Sequence, residues 1–243
     1  MVGLIVLIQG FAAVVALRRK TDKVIDIAYW VTFFVVIWRL YLFQSNQDII
    51  PGVLVILLSL WSIRIATYLF LRILALGKDR RFEGIRANKH AFLRFRFLQS
   101  IVIFLLLLPV MRSMKITWTM AWYGWIGTGV VLLGISIETI ADRQKFRFKR
   151  EYPSRRCNVW LRSMARHPNY FGEILVRWWL YLICLSVLTD RQVRVGMVSP
   201  FAITWLLLFV TGIPPLKQRH EEKWGKNKER QLYKQNTNLL LPW

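Results

Sequence analysis

The sequence predicts an all-α, polytopic membrane bundle of about seven transmembrane helices, with the N-terminus outside and the C-terminus in the cytosol. Three observations carry that expectation. Of the 243 residues 55% are apolar while the formal net charge is +22, a pairing foreign to soluble domains, which run nearer charge balance. The apolar residues gather in runs of the length that crosses a hydrocarbon layer about 30 Å thick. The basic residues concentrate in alternate connections between those runs.

The runs lie near 2–17, 27–43, 50–76, 97–111, 117–139, 168–188 and 196–214. The first lacks the basic leading segment and small-residue cleavage site of a signal peptide, and its basic cluster follows it, so it is expected to be retained. Connections 18–26, 77–96 and 140–167 hold four, seven and nine Lys and Arg residues, and the tail from Lys217 holds seven. The intervening connections 44–49, 112–116 and 189–195 hold none, two and two, which is the asymmetry of the positive-inside rule. A nucleic-acid binder has no reason for such alternation, so nucleic acid is not an expected partner. The chain is expected to be one membrane domain, 1–243, in a bacterial inner membrane or an endoplasmic reticulum, with a bilayer as its surroundings.

Tryptophan and tyrosine cluster at run ends (Trp118, Trp122, Tyr123 and Trp125, then Trp178, Trp179 and Tyr181), as an interfacial aromatic belt expects. The fifth run carries Gly124, Gly127, Gly129 and Gly134, which favour close helix packing. Part of 138–150 is expected to continue that run as a helix into the cytosol. Cys157 and Cys184 fall in a cytosolic connection and inside a run, placements that favour no disulfide. With only three histidines besides, no metal set is expected.

The polar residues within the runs are the candidates for function, because a bilayer penalises them unless they have partners or a ligand. Pro168 suits the first turn of a helix, and Asn169, Glu173 and Arg177 then follow on one face. Glu173 and Arg177 can pair within that helix. Glu138 and Asp142 repeat the four-residue spacing at the end of the fifth run, and Arg64, Tyr68 and Arg72 do so in the third. Three helices therefore aim polar faces at the cytosolic half of the membrane, which suits a cavity for a charged ligand from below and a lipid-like one from the side. The nine basic residues of 140–167 exceed what orientation needs and suit a polyanion. No Walker A or Gly-x-Gly-x-x-Gly pattern is present, and the lack of alternating strands excludes a Rossmann domain.

The run Arg166-His167-Pro168-Asn169-Tyr170-Phe171-Gly172-Glu173 resembles the signature of the membrane family related to steroid 5-alpha-reductases, in its bacterial-type DUF1295 branch. Lys23 through Trp30, Trp61 through Arg72 with Asp79 to Phe82, and Gly212 through Gly225 with Tyr233 and Leu241-Pro242 agree with it, so the resemblance spans about 23–243. It implies a reductase that takes hydride from NADPH and delivers it to an activated C=C bond of a lipid-like substrate, with the cofactor in the C-terminal half, about 117–243. By the same resemblance Asp142, Asn169 and Glu173 hold the nicotinamide half, and Lys149, Arg80, Arg81 and Arg219 meet the phosphates. His220 and Tyr170 complete the implied cofactor set. Asp26 and Tyr68 are the implied catalytic pair that polarises a substrate carbonyl. The family's tyrosine position aligns near Trp61, two turns from Tyr68, and Trp224 stands where the family usually has Tyr. Two other readings stay open. Arg166-His167-Pro168 with Tyr170, and Glu221-Glu222 with Trp224-Gly225, are also similar to isoprenylcysteine carboxyl methyltransferases, which use S-adenosylmethionine. The third is a non-catalytic membrane scaffold whose polar faces only join helices.

Overall fold

The computed structural model describes residues 1–19, 23–44, 49–76, 89–114, 121–153, 155, 157–224 and 228–241. The described residues are helical apart from turns, short connections and one isolated β-bridge. Five stretches are long and apolar enough to cross a membrane: Pro51–Ala75, Lys89–Ser113, Trp122–Glu151, Pro168–Val187 and Asp190–Gln218. Val2–Arg18 and Ile27–Leu42 are shorter apolar helices. Large apolar side chains stand exposed on them, Leu7, Phe11, Ile56, Phe97 and Phe209 among them, as suits an integral membrane protein whose solvent is lipid.

The chain divides into two compact units, Met1–Ala121 with Cys184–Ser199, and Trp122–Ile183 with Pro200–Trp243. The first contains α1 (Val2–Arg19), α2 (Lys23–Leu42), α3 (Ile49–Leu76) and α4 (Lys89–Ser113). Helix α2 packs on α1 and α3, and α4 packs on α1 and α2. Trp61 is fully buried, with Trp30 and Phe33 edge-on to it at 4.7 and 5.2 Å between ring centroids. One polar knot lies inside this apolar core. Gln9 Nε2 donates to Thr32 Oγ1 at 2.7 Å, and Arg96 donates from Nη2 to the Gln9 carbonyl at 3.3 Å and from Nη1 to Gln99 Oε1 at 2.7 Å. This corrects the sequence expectation for 77–96. Helix α4 begins at Lys89, and Arg96 is a buried residue tied to α1 rather than a loop cation.

The second unit is built on α5 (Trp122–Glu151) and α7 (Pro168–Cys184), with the one-turn α6 (Leu161–Met164) between them. The 30-residue α5 continues as a helix beyond the fifth run, through Glu151. Its glycines explain how it meets α7. A Cβ at Gly127 would lie 2.7 Å from Ile183 Cγ1, and one at Gly134 would lie 3.0 Å from the Gly172 carbonyl oxygen. From the other side, a Cβ at Gly172 would lie 2.6 Å from Glu138 Cγ and 2.7 Å from the Gly134 oxygen. The two backbones touch where side chains are absent on both.

The seventh expected span, 196–214, is not a single helix. It comprises α8 (Asp190–Gly196), α9 (Val198–Trp205), a π-helical turn at Leu206–Val210 and the start of α10 (Ile213–Trp224). Gly212 makes that turn possible, since a Cβ there would stand 2.3 Å from the Leu207 oxygen. The chain closes with α11 (Lys228–Asn236). The aromatic belt divides as well. Trp122 and Trp125 are exposed, but Tyr181 is buried, and Trp178 packs edge-on to Phe201 and donates to Thr204 Oγ1 at 3.3 Å.

The glycine contact makes a contrasting pair of predictions. Gly172→Ala forces backbone movement and should cost about 1–3 kcal/mol of stability. Gly129→Ala, whose Cβ meets nothing within 4 Å, should be neutral or gain up to about 1 kcal/mol from helix propensity. Thermal unfolding of both variants in detergent checks this, and equal melting temperatures would contradict the close-contact account.

Candidate functional site

Helix α7 starts at Pro168, as the fixed φ and missing N–H of proline favour at a first turn. The His167 carbonyl accepts from the Tyr170 N–H at 3.0 Å, and the His167 and Tyr170 rings stack at 5.3 Å with only 6° between their planes. One turn further in, Glu173 Oε1 accepts from Arg177 Nε at 2.9 Å, in a pair that is almost fully buried. Glu138 and Asp142 are buried on α5, and Glu138 lies against the backbone of Gly172, next to Glu173. Glu138, Asp142, Glu173 and Arg177 thus form a buried polar layer in the second unit, where each charge depends on its neighbours for what water would supply.

Toward its C-terminus α5 changes sign. Lys145 and Lys149 follow Asp142 at three and seven residues, so the basic side chains begin one turn beyond the acidic layer and end about 10 Å beyond it. They form one wall of an open cleft of about 590 Å³, solvent at its mouth included. Arg162, Arg166, His167, Asn169 and Tyr170 form another, with Cys157, Leu216 and Tyr233 completing the lining. The lining therefore offers two lysines, two arginines and a histidine, and no carboxylate among the described residues.

Lys149 and Arg162 are held rather than loose. Lys149 Nζ donates to the carbonyls of Pro153 at 3.3 Å and Arg155 at 2.5 Å, which folds the chain back after α5. Arg162 is buried, donating from Nη1 to the Arg166 carbonyl and from Nη2 to Asn169 Oδ1, both at 3.2 Å. The Nε atoms of Arg162 and Arg166 are buried with no hydrogen-bond partner among the described residues. Buried N–H groups of this kind are costly to leave unpaired.

The sequence-predicted residues are distributed as follows. Lys149, Asn169 and Tyr170 share the cleft, and Asp142 and Glu173 lie in the buried layer of the same unit. Tyr68 is half-buried on α3 in the first unit, with Arg72 over its ring at 6.0 Å. Asp26 stands in α2, but its side chain lies outside the described residues, as do those of Arg219 and His220 in α10 and all of Arg80 and Arg81. Sequence reasoning included Lys145, Arg162 and Arg166 only collectively, among the nine basic residues of 140–167, and assigned no ligand role to Tyr233. The spacing of Asp142, Lys145 and Lys149 on one helix face was the available signal for the first. Tyr233 had no local signal, because it reaches the cleft from 71 residues away. Among the described residues no group of three or more His, Cys, Asp or Glu side chains is placed to hold a metal ion, and both cysteines are free.

A family model described as a protein of unknown function (DUF1295) matches residues 12–237. No curated protein and no solved structure matches the chain.

The buried pair makes the polar layer testable. Arg177→Met leaves the Glu173 carboxylate without its guanidinium and should cost about 3–5 kcal/mol. Combining it with Glu173→Gln should recover most of that loss. If the double variant melts no higher than Arg177→Met alone, the pair does not carry the layer.

Proposed function

The chain belongs to the DUF1295 family, and from that premise we propose that it is a membrane-embedded, NADPH-dependent reductase of an activated C=C bond in a lipid-like substrate. The observation that carries this reading is the cationic cleft, with no carboxylate in its lining among the described residues, beside the amide and carboxylate face of α7. A dinucleotide with a diphosphate and a 2′-phosphate matches the charges of Lys145, Lys149, Arg162 and Arg166. S-Adenosylmethionine has no phosphate and carries a sulfonium cation, so the same cleft disfavours it.

Each group then has a defined task. Arg162 and Arg166 bind phosphate oxygens as planar forks, and the lysines add point charge. Asn169 has its side-chain oxygen engaged by Arg162 and offers its amide nitrogen to the ligand. The α5 and α7 carboxylates Asp142 and Glu173 orient the polar edge of the nicotinamide half. Arg177 holds the Glu173 carboxylate in place through their 2.9 Å ion pair. When bound, the cofactor supplies a hydride, and the protein's contribution is mainly the positioning that such transfer requires. Asp26 and Tyr68 are assigned to the substrate carbonyl, with the phenol polarising it.

Ligand-dependent melting of the purified protein tests the proposal. NADPH at about 100 times its Kd should stabilise the protein by about 2.7 kcal/mol, and S-adenosylmethionine should not. Stabilisation by the second alone would establish the methyltransferase reading instead, and no shift with either would leave a scaffold. Glu173→Gln and Asn169→Ala should each weaken NADPH binding about tenfold or more while the protein still inserts. Unchanged affinity removes them from the site.

A further inference from the structure

We propose that the C-terminal segment 233–239 is a built-in part of the anion site, with Tyr233 acting as a positioning residue for Arg162. The inference rests on the reading of the cleft as a phosphate site, and it assigns the tail a role in ligand affinity rather than in packing alone.

The backbone that carries the two cleft arginines has little structure of its own. Helix α6 is a single turn, too short to hold itself, and Trp160 before it has a left-handed φ of 50°. Besides local bonds back to Val159, Trp160 and Leu161, residues 162–167 are held from the far end of the chain. The Tyr233 hydroxyl donates to the Arg162 carbonyl. Thr237 Oγ1 donates to the Ser163 carbonyl at 3.5 Å. The Arg166 N–H donates to the Asn238 carbonyl at 2.8 Å and the His167 N–H to the Leu239 carbonyl at 3.1 Å, around a parallel bridge between Ala165 and Asn238. Four of these six residues thus take a hydrogen-bond partner from a tail more than sixty positions away, and among them are both arginines and the histidine of the cleft.

Tyr233 is also part of the cleft lining, so its ring borders the ligand space while its hydroxyl holds the Arg162 backbone. From that anchored position the Arg162 guanidinium reaches both the Arg166 carbonyl and Asn169 Oδ1. Arg162 consequently links the tail to the first turn of α7. Loss of the Tyr233 hydroxyl leaves every cation in the sequence but relaxes the aim of Arg162, the one bonded to the Arg166 backbone and to Asn169. Anion affinity should fall with no change in charge.

The test is a titration of the full-length protein in detergent with inorganic pyrophosphate, run in parallel with NADPH. Tyr233→Phe keeps the ring and removes the hydroxyl, and it should weaken pyrophosphate binding about three- to tenfold. Arg162→Gln should weaken it at least as much, and the double variant should bind no more weakly than Arg162→Gln alone, because Tyr233 acts through Arg162. Wild-type affinity in Tyr233→Phe, or a Tyr233→Phe loss that adds in full to that of Arg162→Gln, overturns the inference. Should Tyr233→Phe not fold, Thr237→Val removes the neighbouring tail contact; weaker pyrophosphate binding supports the inference and unchanged binding refutes it. The two parallel ligands separate the two levels of the account. A wild-type protein that binds pyrophosphate but not NADPH overturns the reductase proposal and leaves the strap to be judged on pyrophosphate. One that binds neither removes the anion site and the strap with it.

Discussion

The site depends on the backbone contact between α5 and α7 at Gly134 and Gly172. Because neither residue has a Cβ, Glu138 can lie against the α7 backbone, and the Glu173–Arg177 pair is buried next to it. Taking ionised groups out of water costs several kcal/mol each unless partners are fixed in place. Helix backbones in contact are the firmest way to fix them, since a one-residue drift along α5 would carry Glu138 and Asp142 to another face. The same register sets Lys145 and Lys149 in the cleft wall. The acidic layer and the basic cleft are therefore consecutive turns of one surface, an order that suits the proposed dinucleotide, with a polar amide at one end and phosphates at the other.

Much of this was legible from the sequence because it is local. Proline at the first turn of α7, the i, i+4 spacing of Glu173 with Arg177 and the run-on of α5 to Glu151 all follow from helical periodicity and terminus rules. The packing role of Gly127 and Gly134 was likewise readable from residue type. Asn169, Tyr170 and Lys149 were selected by resemblance, and they line one cleft.

What escaped has a common physical cause, which is dependence on partners distant in sequence. Arg96 counts as a loop cation until α1 supplies the Gln9 carbonyl for its guanidinium. Tyr233 and Asn238 carry no periodic pattern that pairs them with residues 162 and 166, because a lone parallel bridge has no sequence signature. The π-helical turn at Leu206–Val210 interrupts a continuous apolar run, and apolar runs do not encode hydrogen-bond register. Tyr181 looked like an interfacial aromatic by position and is buried by packing.

The central claim is that the cleft holds the phosphates of a nicotinamide dinucleotide. Competition between ligands tests it most directly: NADPH fluorescence is titrated onto the wild-type protein, and inorganic pyrophosphate is then added at rising concentration. The account predicts saturable enhancement of nicotinamide emission that pyrophosphate reverses completely, with both affinities falling as salt is raised. NADPH binding that is indifferent to pyrophosphate and to salt would place the cofactor outside this cleft and contradict the account.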